Sequence, residues 1–136
     1  MNLLLDLKGI STTNVFFMET KPNMLFDGIF TKINYCDEFF TMYGVYINIP
    51  IEIVPSTKPK INTGTLTALT KLESDILNLY MKTKPPGSKI IHKLSEFLQT
   101  KFTTIDSGAN GEKPNCLKIS GIWENKNNEV GLSFKF

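Results

Sequence analysis

Residues 42–54 read Met-Tyr-Gly-Val-Tyr-Ile-Asn-Ile-Pro-Ile-Glu-Ile-Val. Tyr43, Val45, Ile47, Ile49, Ile51 and Ile53 fall on one face of this run. Met42, Tyr46, Asn48 and Glu52 fall on the other. A period of two over this length predicts a β-strand with one face in a core. Pro50 cannot donate to a hydrogen-bonded ladder, so it marks an edge or a bulge. Just upstream, residues 25–36 alternate in the same way. Leu25, Ile29 and Ile33 lie mostly on one face; Phe26, Phe30, Lys32 and Asn34 lie on the other. Asp37 and Glu38 supply the turn between these strands. Further back, residues 12–20 read as a first strand on β-branched and aromatic content, closed by the turn Lys21-Pro22-Asn23.

Downstream the period changes. Leu66, Leu69, Leu72, Ile76, Leu79 and Tyr80 recur at three- and four-residue steps, which predicts an amphipathic helix. Thr63 or Thr65 caps it, and Pro85-Pro86-Gly87 stops it. Ser88 caps a second helix with Ile90, Ile91, Leu94, Phe97 and Leu98 on its buried stripe. A short strand over 102–106 and a Gly/Asn/Pro loop over 107–115 follow. Residues 116–124 and 130–136 then form a hairpin.

The expected order is three strands, a two-helix insert over about residues 64–101 between strands 3 and 4, and a closing hairpin, all in one domain over 1–136. Without βαβ alternation, a parallel Rossmann-like sheet is not expected. The expectation is an α+β, mainly β chain. Its string matches the OB-fold, an antiparallel Greek-key barrel. Other mixed α+β folds share the same string.

The chain has 136 residues, 41% hydrophobic and 21% charged. That is a globular composition, and a chain of this size buries roughly two thirds of its unfolded surface without metal or disulfide staples. No apolar run approaches the ~20 residues that span a bilayer, so no membrane partner is expected. The opening Met1-Asn-Leu-Leu-Leu-Asp6 lacks a basic region and does not read as a secretory signal. Cys36 and Cys116 are then expected as free thiols in a reducing, intracellular setting, the cytoplasm.

All fifteen basic residues are Lys. Heavy use of Lys, Asn, Ile and Phe is the mark of an A/T-rich genome, such as that of a parasite, a large DNA virus or a selfish plasmid. Its physical consequence is that anion binding rests on ammonium point charges, without the bidentate fork of Arg. The net charge of +2 falls well short of a strong nucleic-acid footprint. Residues 58–101, however, carry eight Lys against Glu73, Asp75 and Glu96.

Catalytic signatures are missing from the sequence. His92 is the only histidine, too few for a catalytic relay or a His-rich metal site, and is expected as a partly exposed helical residue. The two cysteines stand far apart, and there is no Gly-rich phosphate loop. The acidic pairs Asp37/Glu38, Glu73/Asp75 and Glu124/Glu129 read as solvated turns and helix faces. Nothing argues for an enzyme, and no metal or cofactor is expected.

The aromatic residues carry more information. Ten Phe, four Tyr and one Trp make 11% of the chain. If the aliphatic faces form the interior, Phe26, Phe30, Lys32, Asn34 and Tyr46 stand together on an outer sheet surface. Rings interleaved with Lys and Asn suit single-stranded nucleic acid. Bases stack on rings for about 1–3 kcal/mol each while Lys tracks the phosphates. The competing reading is a second apolar layer beneath the helices, which would move any binding to the loops. Trp123, just before Lys126, stands either as a stacking platform at a groove or as a plug of the barrel end.

Two segments resemble a known group. These are Leu117-Lys-Ile-Ser-Gly-Ile-Trp-Glu124 with Val130-Gly-Leu-Ser-Phe-Lys-Phe136, and Phe30-Thr-Lys-Ile-Asn-Tyr35 with Tyr43-Gly-Val-Tyr46. They resemble the single-stranded DNA-binding proteins of poxvirus-type viruses and of yeast cytoplasmic linear plasmids. The resemblance implies an OB-like fold and sequence-independent binding of single-stranded DNA (rather than RNA) during replication. With so modest a net charge, tight binding would need a homo-oligomer or cooperative coating of the strand. By position it points to Phe30, Lys32, Tyr35, Tyr46, Lys118 and Trp123. Many replicative single-strand binders end in an acidic partner-recruiting tail. This chain ends Ser133-Phe-Lys-Phe136, without an acid.

Overall fold

Apolar residues at 117, 119, 122, 130 and 132 place the core against the C-terminal hairpin, and the rest of the sheet assembles around it. A computed structural model describes residues 4–22, 28–84, 86–106 and 113–136. The strands are β1 (Leu5–Asp6), β2 (Val15–Pro22), β3 (Gly28–Cys36), β4 (Thr41–Met42), β5 (Val45–Asn48), β6 (Ile51–Glu52), β7 (Lys60–Asn62), β8 (Lys89–Ile90), β9 (Thr103–Ile105), β10 (Cys116–Asn125) and β11 (Glu129–Lys135). Helix α1 (Thr63–Met81) lies between β7 and β8, and α2 (Lys93–Lys101) between β8 and β9.

β10 is the hub. One of its edges pairs with β11. The other is shared by β5, at Cys116–Ile119, and β3, at Gly121–Asn125. β3 in turn pairs with β2 and β4, and among the described residues the main sheet has eight strands. A second sheet has the order β6-β7-β9. Among the described residues the fold is α+β, mostly strands with two helices, as expected. Among the described residues the main sheet does not close into a barrel. Nor is the pairing wholly antiparallel: β1–β5, β11–β8 and β7–β9 are parallel.

A bulge sets which way β10 faces. Ile119 pairs with Phe134 and Gly121 with Ser133, so β10 holds one extra residue. That residue inverts the in–out parity of everything after it. Leu117 and Ile119 point inward before the bulge, and Ile122 and Glu124 do so after it. Trp123 is thereby turned to the outer face.

The stretch 42–54 is not one strand. Gly44 takes a left-handed φ of 104°, which glycine adopts without strain. The kink brings Met42 into the core and leaves Tyr43 79% exposed. Pro50 separates β5 from β6, and the chain passes from one sheet to the other. Val45, Ile47, Ile49 and Ile51 are buried as expected, but Ile53 is 61% exposed beyond the end of β6.

Helix α1 is capped by Asn62, whose Oδ1 accepts from Gly64 N at 2.8 Å, in place of either expected threonine. Its buried face is Leu69, Leu72, Glu73, Ile76, Leu77 and Tyr80. The second helix begins three residues later than the pattern of Ile90 and Ile91 implies. Lys89 and Ile90 instead add a parallel strand to β11. Two acidic pairs are also corrected. Glu73 is fully buried, while Asp75 stays at the surface with Lys71. The Glu73 carboxylate accepts from Leu94 N (2.8 Å), Ser95 N (3.1 Å) and Ser95 Oγ (2.5 Å), so a side chain of α1 caps α2. Glu124 faces inward, where Tyr80 Oη donates to it at 2.5 Å and Lys84 Nζ lies 3.1 Å away. Burial, reinforced by Glu124, pushes the Tyr80 phenol above its ordinary value. Desolvation pulls the Lys84 ammonium down, but its bonds to Glu124 and Tyr80 outweigh that and hold it above the usual range.

Candidate nucleic-acid interface

The sheet has two unlike faces. Its inner face carries Ile33, Val45, Ile47, Leu117, Ile119, Ile122, Val130 and Leu132, all buried. Both helices pack on this side: Phe17 meets Tyr80 of α1 edge-on, and Phe134 meets Phe97 of α2. The helices therefore cover the aliphatic face and not the aromatic one.

The outer face is laid out by strand register. Directly paired residues of neighbouring strands share a face. One row runs Lys21–Phe30–Trp123–Gly131 across four strands. The next runs Lys32–Gly121–Ser133. A third joins Tyr46, Lys118 and Lys135. Each half-buried ring of the first row lies against a glycine of an adjacent strand. A Cβ at Gly121 would stand 2.7 Å from Phe30 Cζ, and one at Gly131 would stand 2.7 Å from Trp123 Cε2. The indole is also held at its edge, where Nε1 donates to Leu132 O at 3.2 Å. Ammonium groups sit over the rings: Lys93 Nζ is 4.8 Å from the Trp123 centroid, and Lys118 Nζ is 5.3 Å from that of Tyr46. Lys118 and Lys135 are direct cross-strand partners. Like charges placed so repel, and an anion between them relieves the repulsion.

Phe30, Lys32, Asn34, Tyr46, Lys118 and Trp123 thus share the outer face, with Lys126 exposed at the hairpin end. Tyr35 does not belong there. It is 1% exposed, on the same parity as Ile33, and its hydroxyl accepts from Ser11 N at 3.1 Å. Phe26 and residues 107–112 of the expected loop lie outside the described residues. Lys21, Lys93 and Lys135 were missed. Hairpin register could have located Lys135, but a register irregularity between Phe17 and Thr20 turns Lys21 outward against simple alternation. Nothing in the local pattern places Lys93 over Trp123.

A cleft of about 570 Å³ opens at the end of the β10–β11 hairpin, lined by Lys93, Trp123, Asn125, Lys126 and Glu129 among others. His92 stands at the N-cap of α2 with Nδ1 3.6 Å from Glu73, a carboxylate already engaged by the donors of that helix. Among the described residues no group of three or more His, Cys, Asp or Glu side chains gathers to hold a metal, and no helix is long and apolar enough to cross a membrane. Cys36 and Cys116 are unpaired with each other. Comparison with protein-family models, curated proteins and solved structures finds no match.

Proposed function

We propose that this chain is a non-catalytic protein that binds single-stranded DNA without sequence selection and shields it during replication of a viral or plasmid genome in the cytoplasm. The observation that carries the reading is the outer sheet face. Phe30, Tyr46 and Trp123 stand there among Lys21, Lys32, Lys118 and Lys135, with Lys93 reaching over Trp123 from the start of α2. Rings take the bases and ammonium groups take the phosphates. The opposed Lys118 and Lys135 support an anionic ligand, and the two segments that resemble viral and plasmid single-strand binders support DNA over RNA. A hub strand with one edge shared by β3 and β5 supports an OB-like, partly open arrangement. With a net charge of only +2, tight binding would come from cooperative coating or homo-oligomers along the strand.

The test is a titration with oligo-dT and with duplex DNA at several salt concentrations. Five lysines at about 0.7 each predict a log–log salt slope near −3.5 for single strands. A flat salt response, or no binding at low salt, refutes the proposal.

A second reading, a protein-interaction module of a replication complex or virion, is favoured by one observation. Phe39 and Tyr43 are 84% and 79% exposed in the β3–β5 connection. It gains if oligonucleotides fail to bind.

A further inference from the structure

We infer that the cleft at the end of the β10–β11 hairpin holds one nucleotide of the bound strand and selects guanine there. The inference rests on the outer face being the nucleic-acid surface, and it adds a single selective position to a strand otherwise bound without selection.

The cleft is built for a planar base. The Trp123 ring lies against Gly131, and its Nε1 is tied to Leu132 O at 3.2 Å, so the platform is pre-set. The Lys93 ammonium lies over the ring, 4.8 Å from its centroid. A base stacked on an indole is held more firmly than an exposed ammonium over the same ring. An arriving base therefore displaces Lys93, whose long stem keeps the charge within reach of that nucleotide's phosphate.

The wall of the cleft supplies the selection. Glu129 is fastened in place: its Oε1 accepts from Asn125 Nδ2 at 2.8 Å, and its backbone N–H donates to Asn125 Oδ1 at 3.0 Å. Asn125 Oδ1 also accepts from Asn127 N at 3.0 Å, which stiffens the turn. An ionised carboxylate has about four acceptor sites and no donor. On its pairing edge guanine offers two adjacent donors, the ring N–H and the exocyclic amine. Adenine and cytosine each offer one amine. Thymine offers a single N–H between two carbonyl oxygens, which the carboxylate repels. A site of this kind ranks guanine first and thymine last, and one well-placed pair of hydrogen bonds discriminates by about tenfold.

Trp123 is the only tryptophan, so its fluorescence reports on the cleft alone. Titration of the full chain with the four deoxynucleoside monophosphates should give saturable quenching. The midpoint for deoxyguanosine monophosphate should lie about tenfold below that for thymidine monophosphate. Glu129→Gln should shrink that ratio, and Lys93→Gln should weaken all four nucleotides alike. Equal midpoints in the unmodified protein, or no quenching by any of them, overturn the inference. If oligo-dT still binds in that case, only the guanine cleft is lost. If quenching by the guanine nucleotide survives while oligo-dT fails to bind, the cleft stands and the strand-binding reading falls.

Discussion

Glu73 gives the most exacting test of the architecture. Its carboxylate is fully buried between the helices and takes three hydrogen bonds from the first turn of α2. Glu73→Ala removes the acceptor and leaves Leu94 N–H and Ser95 N–H without it. Loss of a helix N-cap acceptor costs about 1–2 kcal/mol. Each buried donor left unpaired adds about 1–3 kcal/mol, less whatever water recovers by entering the vacated space. The expected loss is about 3–5 kcal/mol, a large share of the ~5–15 kcal/mol that holds a domain folded. At about 4 °C per kcal/mol for a chain of this length, the melting temperature should fall by ~12–20 °C. Urea and thermal unfolding measure this directly. Asp75→Asn is the control. Asp75 sits two residues away and pairs with Lys71 at the surface, so its loss should stay within ~0.5 kcal/mol. If Glu73→Ala costs less than about 1 kcal/mol, the cross-helix cap is not holding α2 in place.

Tyr35→Phe should lower stability by about 1 kcal/mol through loss of the bond from Ser11 N, while leaving oligonucleotide affinity unchanged; a loss of binding would return Tyr35 to the interface. Alkaline pH should destabilise the fold. Tyr80 and Lys84 both have raised values in the folded state. Their contributions are complete below the unfolded values of 10.0 and 10.5, and are lost as pH climbs through the folded ones. Melting temperatures between pH 8 and 11 should therefore drop past about pH 10, and Tyr80→Phe should show a shallower drop. An equal drop in that variant would remove Tyr80 as a source.

Much of the sheet was legible because its signal is local. Alternation in 28–34 and 45–48 needs only near neighbours and a core on one side, and the faces read from it hold at Phe30, Lys32, Ile33, Tyr46 and Ile47. The same parity places Tyr35 with Ile33 inside, against the role its resemblance implied. The errors cluster where a distant partner overrules local preference. Ile90 and Ile91 fit a helical stripe, but the free edge of β11 offers backbone hydrogen bonds: Ile91 N donates to Val130 O at 2.8 Å. Glu73 looks like a solvated helix charge until the start of α2 is laid beside it.

By itself, the sequence determined that this is a strand-rich α+β chain with one long helix, an aliphatic interior and rings set among lysines. Each of those properties follows from residue type and spacing. Only the tertiary structure decided which surface the helices cover, because that depends on long-range packing. It alone revealed that one extra residue at the β10 bulge turns Trp123 outward, and that Lys93, thirty positions earlier in the chain, lies over its ring. Register between strands is a property of pairs, and no single stretch of sequence contains both members.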